Sequence, residues 1–247
     1  MKSKILVTSG PTRQYLDPIR YLTNASSGRM GAALARACLD AGFQPVVVSG
    51  PVDVEYPAEA EVVRVVSTDE MHVAAMQVFP ECVGAIGAAA PCDYKPFAVL
   101  TDKMSKDDFI RTPESHGELL LRLRETPDVM AALGEMKRGT DDPLGPQWLV
   151  AFALETSDHH VKALQKLQRK RCDLVVVNGP ASINGTTTSV EILDSAGASL
   201  ARVDGDKLEV ASRLLAEIQK YAAQRFGNSA FSRAAASLTS GWRDTEV

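Results

Sequence analysis

The chain has 247 residues, of which 45% are hydrophobic, and its formal net charge at pH 7 is −4. This length and composition suit one large α/β domain, and the small, mixed charge argues against a nucleic-acid partner. Because the chain contains no run of about 18 apolar residues, we expect no signal peptide, no membrane partner and a cytoplasmic protein.

Strand and helix patterns alternate along the first part of the chain. Short apolar runs predict strands at residues 5–7, 45–49, 62–66 and 83–90. Helical spacing of apolar residues predicts helices at 30–41 and 71–79, and Ser67 and Glu70 form a capping box before the second helix. The alternation predicts an α/β fold with a doubly wound, mostly parallel, Rossmann-like sheet, which binds ligands at the carboxyl ends of its strands.

The middle of the chain is more polar. Residues 95–115 form a long stretch rich in charged residues, for which we predict a mobile active-site loop. Beyond it, apolar patterns predict further elements: a strand at 119–123, a short helix at 127–133, a strand at 148–153, a helix at 158–171 and a strand at 174–177.

The last part of the chain has a different pattern. Alternating residues on both sides of a Gly-containing turn predict a β-hairpin appendage at 188–203, and residues 206–221 predict a final amphipathic helix. We expect residues 1–225 to form a single domain and residues 226–247 to be a weakly ordered C-terminal extension.

The cysteines and histidines give no sign of a metal centre. Cys38, Cys82, Cys92 and Cys172 lie in or beside apolar segments and show no CxxC spacing. We expect buried free thiols in a reducing compartment. The four histidines show no spacing typical of zinc ligands either.

Residues 9–31 contain little that would build a hydrophobic core. They join the first predicted strand to the first helix, and they include Arg13, Arg20 and Asn24, with Ser27 and Gly28 just before the helix. Free backbone N–H groups and the helix dipole favour an anion at such a helix start. An ordinary capped helix is the competing interpretation of Ser27 and Gly28 taken alone. The nearby arginines favour an anion site.

The same segment, GPTRQYLDPIRYLTNASSGRMG, resembles the opening signature of the phosphopantothenoylcysteine synthetases, enzymes of coenzyme A biosynthesis. Four further motifs resemble that family in the same order along the chain: residues 88–94 with Lys103 ten residues after Asp93, residues 125–129, residues 151–156, and the lysine pair Lys166 and Lys170.

Three positions depart from the family pattern. Thr126 stands where the family has Asn, and Ser105 replaces one lysine of a Lys-rich run. Lys207 matches a family Ser-Lys position, but Asp206 replaces the Ser, so we do not include Lys207 in the predicted site.

The resemblance implies roles for individual residues. Asn24 and Lys103 would be catalytic, and Arg13, Arg20 and Asn24 would bind the substrate. Asp93 would also hold Mg²⁺, which prefers oxygen ligands. The residues implied in nucleotide binding are Ser27, Gly28, Ala89, Ala90, Asp93, Thr126, Pro127, Asp128, Val129, Phe152, Lys166 and Lys170.

Several of these residues also have an ordinary explanation. Exposed lysines are usually solvated, and Asp93 alone suits a capped loop. The sequence of residues 126–128 is typical of a helix start, and Phe152 suits a hydrophobic core.

The resemblance further implies a two-step ligase reaction. The carboxylate of 4′-phosphopantothenate attacks the α-phosphate of CTP or ATP, and pyrophosphate leaves. The amine of L-cysteine then attacks the acyl-nucleotide and releases the nucleoside monophosphate, which is CMP for CTP. Lys103 would serve the first step and Asn24 the second.

The same resemblance implies a homodimer, with the 188–203 hairpin in the dimer contact. Nothing upstream resembles the flavin-dependent decarboxylase fused to many bacterial members, so we expect a stand-alone synthetase.

Two other functions stay open from the sequence. A nicotinamide-dependent oxidoreductase would carry a Gly-x-Gly-x-x-Gly turn, and residues 27–31 do not fit it. A non-catalytic nucleotide-binding module is the second alternative, and the departures at Thr126 and Ser105 leave room for it.

Overall fold

The computed structural model describes residues 2–105, 120–154, 159–178 and 187–227. Its strands are β1 Lys4–Ser9, β2 Arg13–Tyr15, β3 Tyr21–Thr23, β4 Gln44–Ser49, β5 Glu61–Arg64, β6 Cys82–Gly87, β7 Tyr94–Pro96, β8 Leu123–Glu125, β9 Trp148–Leu154, β10 Leu174–Asn178, β11 Thr187–Asp194 and β12 Ser199–Asp206. Its α-helices are α1 Arg29–Asp40, α2 Thr68–Val78, α3 Val129–Met136, α4 His159–Arg169 and α5 Lys207–Phe226.

Eight of the strands form one sheet in the order β12-β11-β10-β9-β6-β1-β4-β5. The strands from β5 to β10 in this order are parallel, and β11 and β12 are antiparallel to their neighbours. The prediction of a mostly parallel, doubly wound α/β sheet is therefore confirmed. The predicted hairpin is β11–β12, and it extends the main sheet beyond β10.

Helices cover both faces of this sheet. Ile5 and Val7 point to the face where α1 and α5 pack, and Leu6 points to the face where α2, α3 and α4 pack. Burial on both faces explains why the parallel strands are continuous apolar runs. Charged residues mark the two outer strands: β5 exposes Glu61 and Arg64, and β12 exposes several charged side chains.

All four cysteines are free and buried, as predicted. Burial raises the pKa of the Cys38, Cys82 and Cys172 thiols to about 12. These three thiols are therefore protonated and unreactive at neutral pH. None of the helices in the described ranges is long and apolar enough to cross a membrane.

Some element boundaries differ from the predicted ones. The strand predicted at 83–90 ends at Gly87, and the alanines after it belong to a loop. The strand predicted at 119–123 is instead β8, which pairs with β7 in a small antiparallel sheet, and residue 119 lies outside the described residues. The capping box is also altered, because Glu70 Oε2 accepts from the N–H of Val66 rather than from that of Ser67.

Within residues 9–31 the structure adds an antiparallel pair, β2–β3, that the sequence pattern did not predict. Residues 106–115 of the predicted mobile loop lie outside the described residues, and so does the C-terminal stretch 228–247.

The strand order reverses direction between β1 and β6. From β1 the chain proceeds to β4 and β5 on one side, and from β6 it proceeds to β9 and β10 on the other. The crevice beside the carboxyl ends of such neighbouring strands is the usual ligand site of open α/β sheets.

Candidate functional site

A cavity of about 1060 Å³ opens at this edge of the sheet, and Thr8 of β1 and Gly87 of β6 lie in its wall. The sequence-predicted site residues that line it are Asn24, Ser27, Gly28, Ala89, Ala90, Asp93, Thr126, Pro127, Asp128, Val129, Phe152, Lys166 and Lys170. The structure thus brings together every predicted nucleotide-binding residue and one of the two predicted catalytic residues.

The start of α1 lies close against the end of β1. A Cβ atom at Gly31 would come within 2.0 Å of Ser9 Oγ, so only glycine allows this approach. Gly28, the residue before the helix, has φ of 74°, a conformation that favours glycine. No side chain caps α1, and its first turn carries no acidic residue. The helix N-terminus therefore suits an anion in the cavity.

Asn24 joins two loops of the cavity wall. Its Nδ2 donates to the carbonyl oxygens of Ala90 at 3.2 Å and Pro91 at 2.9 Å. Its backbone oxygen accepts from the N–H of Ser26 at 2.9 Å. To donate a hydrogen bond to a substrate oxygen, the Asn24 amide must therefore give up its hydrogen bond to one of these two carbonyl oxygens.

The loop after β6 is held by a set of hydroxyl groups. Thr12 Oγ1 accepts from the N–H of Cys92 at 2.9 Å, and Thr68 Oγ1 donates to the Cys92 carbonyl at 3.1 Å. Thr126 Oγ1 donates to the same carbonyl at 2.6 Å, and its N–H donates to the Asp93 carbonyl at 2.9 Å. Thr126 thus positions the loop that carries Asp93. Thr12 and Thr68 are positioning residues that the sequence analysis missed.

Asp128 and Lys170 meet inside the cavity. Asp128 Oδ1 caps α3 by accepting from the N–H of Ala131 at 3.1 Å, and Lys170 Nζ lies 2.9 Å from the same oxygen. Arg169 Nη2 lies 3.6 Å from the other oxygen. Burial acts to raise the pKa of Asp128, but these hydrogen bonds and charges outweigh it, so the pKa lies below its usual range. Asp128 is therefore ionised at neutral pH.

The metal prediction rests on Asp93 alone. The described residues contain no group of three or more His, Cys, Asp or Glu side chains arranged to hold a metal ion. A single exposed carboxylate at the cavity wall still suits Mg²⁺ that arrives with phosphates, because this ion often takes one or two carboxylates and completes its shell with phosphate and water.

Three predicted residues lie outside the cavity lining, namely Arg13, Arg20 and Lys103. The Arg13 guanidinium lies over the Tyr21 ring, 4.5 Å from its centroid. Lys103 is exposed at the end of the described part of its loop. Their roles in substrate binding and catalysis stay predictions.

Arg20 and Asp17 hold the base of that loop. Arg20 Nη1 donates to Asp17 Oδ2 at 3.0 Å and to the carbonyl of Met104 at 2.8 Å. The fully buried Asp17 carboxylate also accepts the N–H groups of Ile19, Arg20 and Met104. Burial acts to raise the pKa of Asp17, but these hydrogen bonds lower it below its usual range. The contact fixes the residue next to Lys103.

The polar residues that line the cavity without having been predicted include Arg29, Asn178, Thr188 and Lys207. They come from the first residues of α1 and α5 and from the adjoining ends of β10 and β11. Asp206 Oδ1 caps α5 by accepting from the N–H groups of Leu208 and Glu209. Only the resemblance of Lys207 to a family position gave any signal in the sequence.

The fold and the cavity define a doubly wound α/β protein with a ligand site at the switch point of its sheet. The chain belongs to the family of the DNA/pantothenate metabolism flavoprotein C-terminal domain, whose family model matches residues 1–221.

Curated relatives are longer than this chain. The coenzyme A biosynthesis bifunctional protein CoaBC of Bacillus subtilis strain 168 is 35% identical over 219 residues, which cover 87% of this chain and 50% of that protein. A cysteine/cysteine sulfinic acid decarboxylase from an unknown prokaryotic organism is 34% identical over 220 residues, which cover 87% of this chain and 56% of that protein. The chain thus spans about half the length of these curated relatives.

Solved structures give the same fold. The C-terminal domain of a CoaBC bifunctional protein is 30% identical and superposes with a TM-score of 0.69 over 88% of this chain and 94% of that domain. A mutant of Cab2 in complex with phosphopantothenate-cysteine is 17% identical and has a TM-score of 0.68 over 90% of this chain and 88% of that one. At that identity the second likeness shows the fold alone.

Proposed function

We propose that the protein is a phosphopantothenate–cysteine ligase of coenzyme A biosynthesis that acts through an acyl-nucleotide. The observation that carries this proposal is the gathering of Asn24, the α1 start, Asp128 and the lysine pair in one cavity at the switch point. The CoaBC relatives, which are named as coenzyme A biosynthesis proteins, and the motif resemblance support it.

In the first step a carboxylate oxygen of 4′-phosphopantothenate attacks the α-phosphorus of the nucleoside triphosphate. The bond to the bridging oxygen breaks, and pyrophosphate leaves with the charge of that oxygen. Lys166 and Lys170 would hold the nucleotide through their ammonium groups, and the uncapped α1 N-terminus would orient phosphate oxygens through its N–H groups. Lys103 would stabilise the charge that develops on the transferring group.

In the second step the amine of L-cysteine attacks the acyl carbon. The C–N bond forms, the amine loses a proton, and the nucleoside monophosphate leaves with the electrons of the acyl–oxygen bond. The Asn24 amide would stabilise the developing oxyanion by turning one N–H from its present carbonyl partner to the substrate. Mg²⁺ on the phosphates would neutralise part of their charge, with Asp93 as its protein ligand.

Turnover with each nucleotide tests this proposal. Purified protein is mixed with 4′-phosphopantothenate, L-cysteine, Mg²⁺ and either CTP or ATP, and pyrophosphate and the cysteine adduct are measured. Ligase activity predicts that pyrophosphate release requires both nucleotide and phosphopantothenate, and that adduct requires cysteine as well. Nucleotide binding without pyrophosphate release would instead identify a non-catalytic binding module.

We also propose that the ligase is a homodimer with the 188–203 hairpin in the contact, as the family resemblance implies. Light scattering of the purified protein should then give about twice the chain mass of 26.5 kDa. A monomeric mass at working concentration would contradict this part of the proposal.

A further inference from the structure

Two helices begin side by side at one end of the cavity. α1 and α5 pack on the same face of the sheet, and their first residues, Arg29 and Lys207, both line the cavity. The N-terminus of a helix carries partial positive charge, so a cation there is disfavoured unless an anion lies nearby. Two such cations at one place therefore favour a bound anion.

Thr188 lies at the same end of the cavity. Its side chain is 6% exposed, and within the part of the chain that the structure describes its hydroxyl has no hydrogen-bond partner. A buried hydroxyl without a partner is unfavourable, and a ligand in the cavity can supply the missing acceptor.

The charge state of Lys207 agrees with this arrangement. Burial lowers the pKa of its ammonium group, and the charge of Arg29 lowers it further. A bound anion would offset both of the effects that disfavour the ammonium ion.

We propose that Arg29, Thr188 and Lys207 bind a phosphoryl group where α1 and α5 begin. The two cations would make charge-assisted hydrogen bonds to its oxygens, and the Thr188 hydroxyl would donate a third. The proposal rests on the ligase function above, because that reaction supplies two phosphorylated ligands. They are the nucleoside triphosphate, whose terminal phosphates leave as pyrophosphate, and 4′-phosphopantothenate.

Calorimetric titration of the whole chain tests the subsite with two probes, inorganic pyrophosphate and 4′-phosphopantothenate. Lys207→Gln should raise the Kd of one probe about tenfold, as expected for one lost charge-assisted hydrogen bond, and the affected probe identifies the source of the phosphoryl group. Lys207→Arg should restore most of the affinity. Lys220→Gln is the matched control, because Lys220 is an exposed lysine of the same helix about 20 Å further along it.

Thr188→Val separates binding from folding. The change keeps the side-chain volume and removes a hydroxyl that has no partner among the described residues, so the melting temperature should stay the same or rise while the Kd of the same probe rises. The proposal is overturned if Lys207→Gln and Thr188→Val both bind both probes within about twofold of wild type. It is equally overturned if the wild type binds neither probe.

Failure of the ligase proposal gives a different result. The titrations need no turnover. If the wild type binds a probe in a Lys207-dependent way but forms no cysteine adduct, the subsite is supported and the ligase function is rejected. If the wild type forms the adduct but Lys207→Gln and Thr188→Val bind both probes as the wild type does, the ligase function is supported and the subsite is rejected.

Discussion

Replacement of Lys170 by methionine distinguishes a structural ion pair from a nucleotide contact. Lys170→Met keeps the long aliphatic stem, which is largely buried, and removes only the ammonium group that lies 2.9 Å from Asp128 Oδ1. Asp128 keeps its cap of α3, because its hydrogen bond from Ala131 does not involve the lysine. The variant is therefore expected to fold.

The expected loss of stability is small. The Asp128 side chain is 36% exposed and that of Lys170 is 15% exposed, so solvent screens the pair considerably. Such pairs typically contribute about 0.2–1 kcal/mol. For a domain of this size, a loss near the upper limit lowers the melting temperature by about 2–4 °C.

The expected loss of nucleotide binding is larger. An ammonium group that contacts a phosphate or base contributes about 1.5–3 kcal/mol, which corresponds to a rise in nucleotide KM of about tenfold or more. The Asp128 carboxylate would keep only the longer ion pair with Arg169, at 3.6 Å, and would also repel the phosphates, so both effects act in the same direction. Initial rates of pyrophosphate release at varied nucleotide concentration give KM and kcat, and thermal unfolding gives the stability.

Two further variants complete the test. Lys4→Met removes a lysine that pairs with Glu61 and Glu81 outside the cavity, and it should lower the melting temperature without changing the nucleotide KM. Asp128→Asn removes the ion pair with Lys170 and leaves Lys170 in place, and asparagine is still a good capping residue for α3. A KM that stays within about twofold of wild type in Lys170→Met, together with the expected small loss of stability, would refute the nucleotide contact.

The remaining predictions concern three other positions. Lys103→Gln should fold normally and lower the rate of pyrophosphate release by about 10²–10³, measured by rapid quench, whereas near-normal release would exclude its proposed role. Asn24→Asp should still release pyrophosphate and then accumulate acyl-nucleotide. It should also lose some stability, because a carboxylate would face two carbonyl oxygens. Equal slowing of both steps would mean that Asn24 only joins the loops. Asp17 has a lowered pKa in the fold, so its stabilisation is present above about pH 4 and is lost as pH falls through the folded pKa. The free energy of unfolding, measured with urea at pH 7 and at pH 3, should therefore change less with pH for Asp17→Asn than for the wild type.

The cavity was predictable because its residues follow strands. The sequence shows where apolar runs end, and in a parallel sheet those ends meet at one edge. Asp93 lies in the loop after β6, and Phe152 lies near the carboxyl end of β9, so their convergence follows from the fold class.

Contacts between distant loops were not predictable in this way. The hydroxyl groups that hold Cys92 come from Thr12, Thr68 and Thr126, which are 80, 24 and 34 residues away along the chain. No local pattern relates such residues, because their meeting depends on the relative placement of several strands and helices. Only these contacts explain what Thr126 does at a position where the family motif has Asn.

The predicted roles of Arg13 and Arg20 illustrate a second limit. A motif predicts that a residue matters, but its side chain can face away from the cavity of its own chain. Here β2 and β3 turn Arg13 onto Tyr21, and Arg20 bonds to Asp17. No sequence pattern indicates this hairpin, since each of its strands has only three residues.

The two outer strands of the main sheet affect how the protein behaves at high concentration. Glu61 and Arg64 are exposed on β5, and Arg202, Asp204 and Asp206 are exposed on β12. A strand from another molecule that paired with either edge would have to remove these charges from water. Parallel sheets form their long-range pairings slowly, and edges left open during folding favour aggregation. The charged edges therefore oppose open-ended strand addition while the chain folds in a crowded solution.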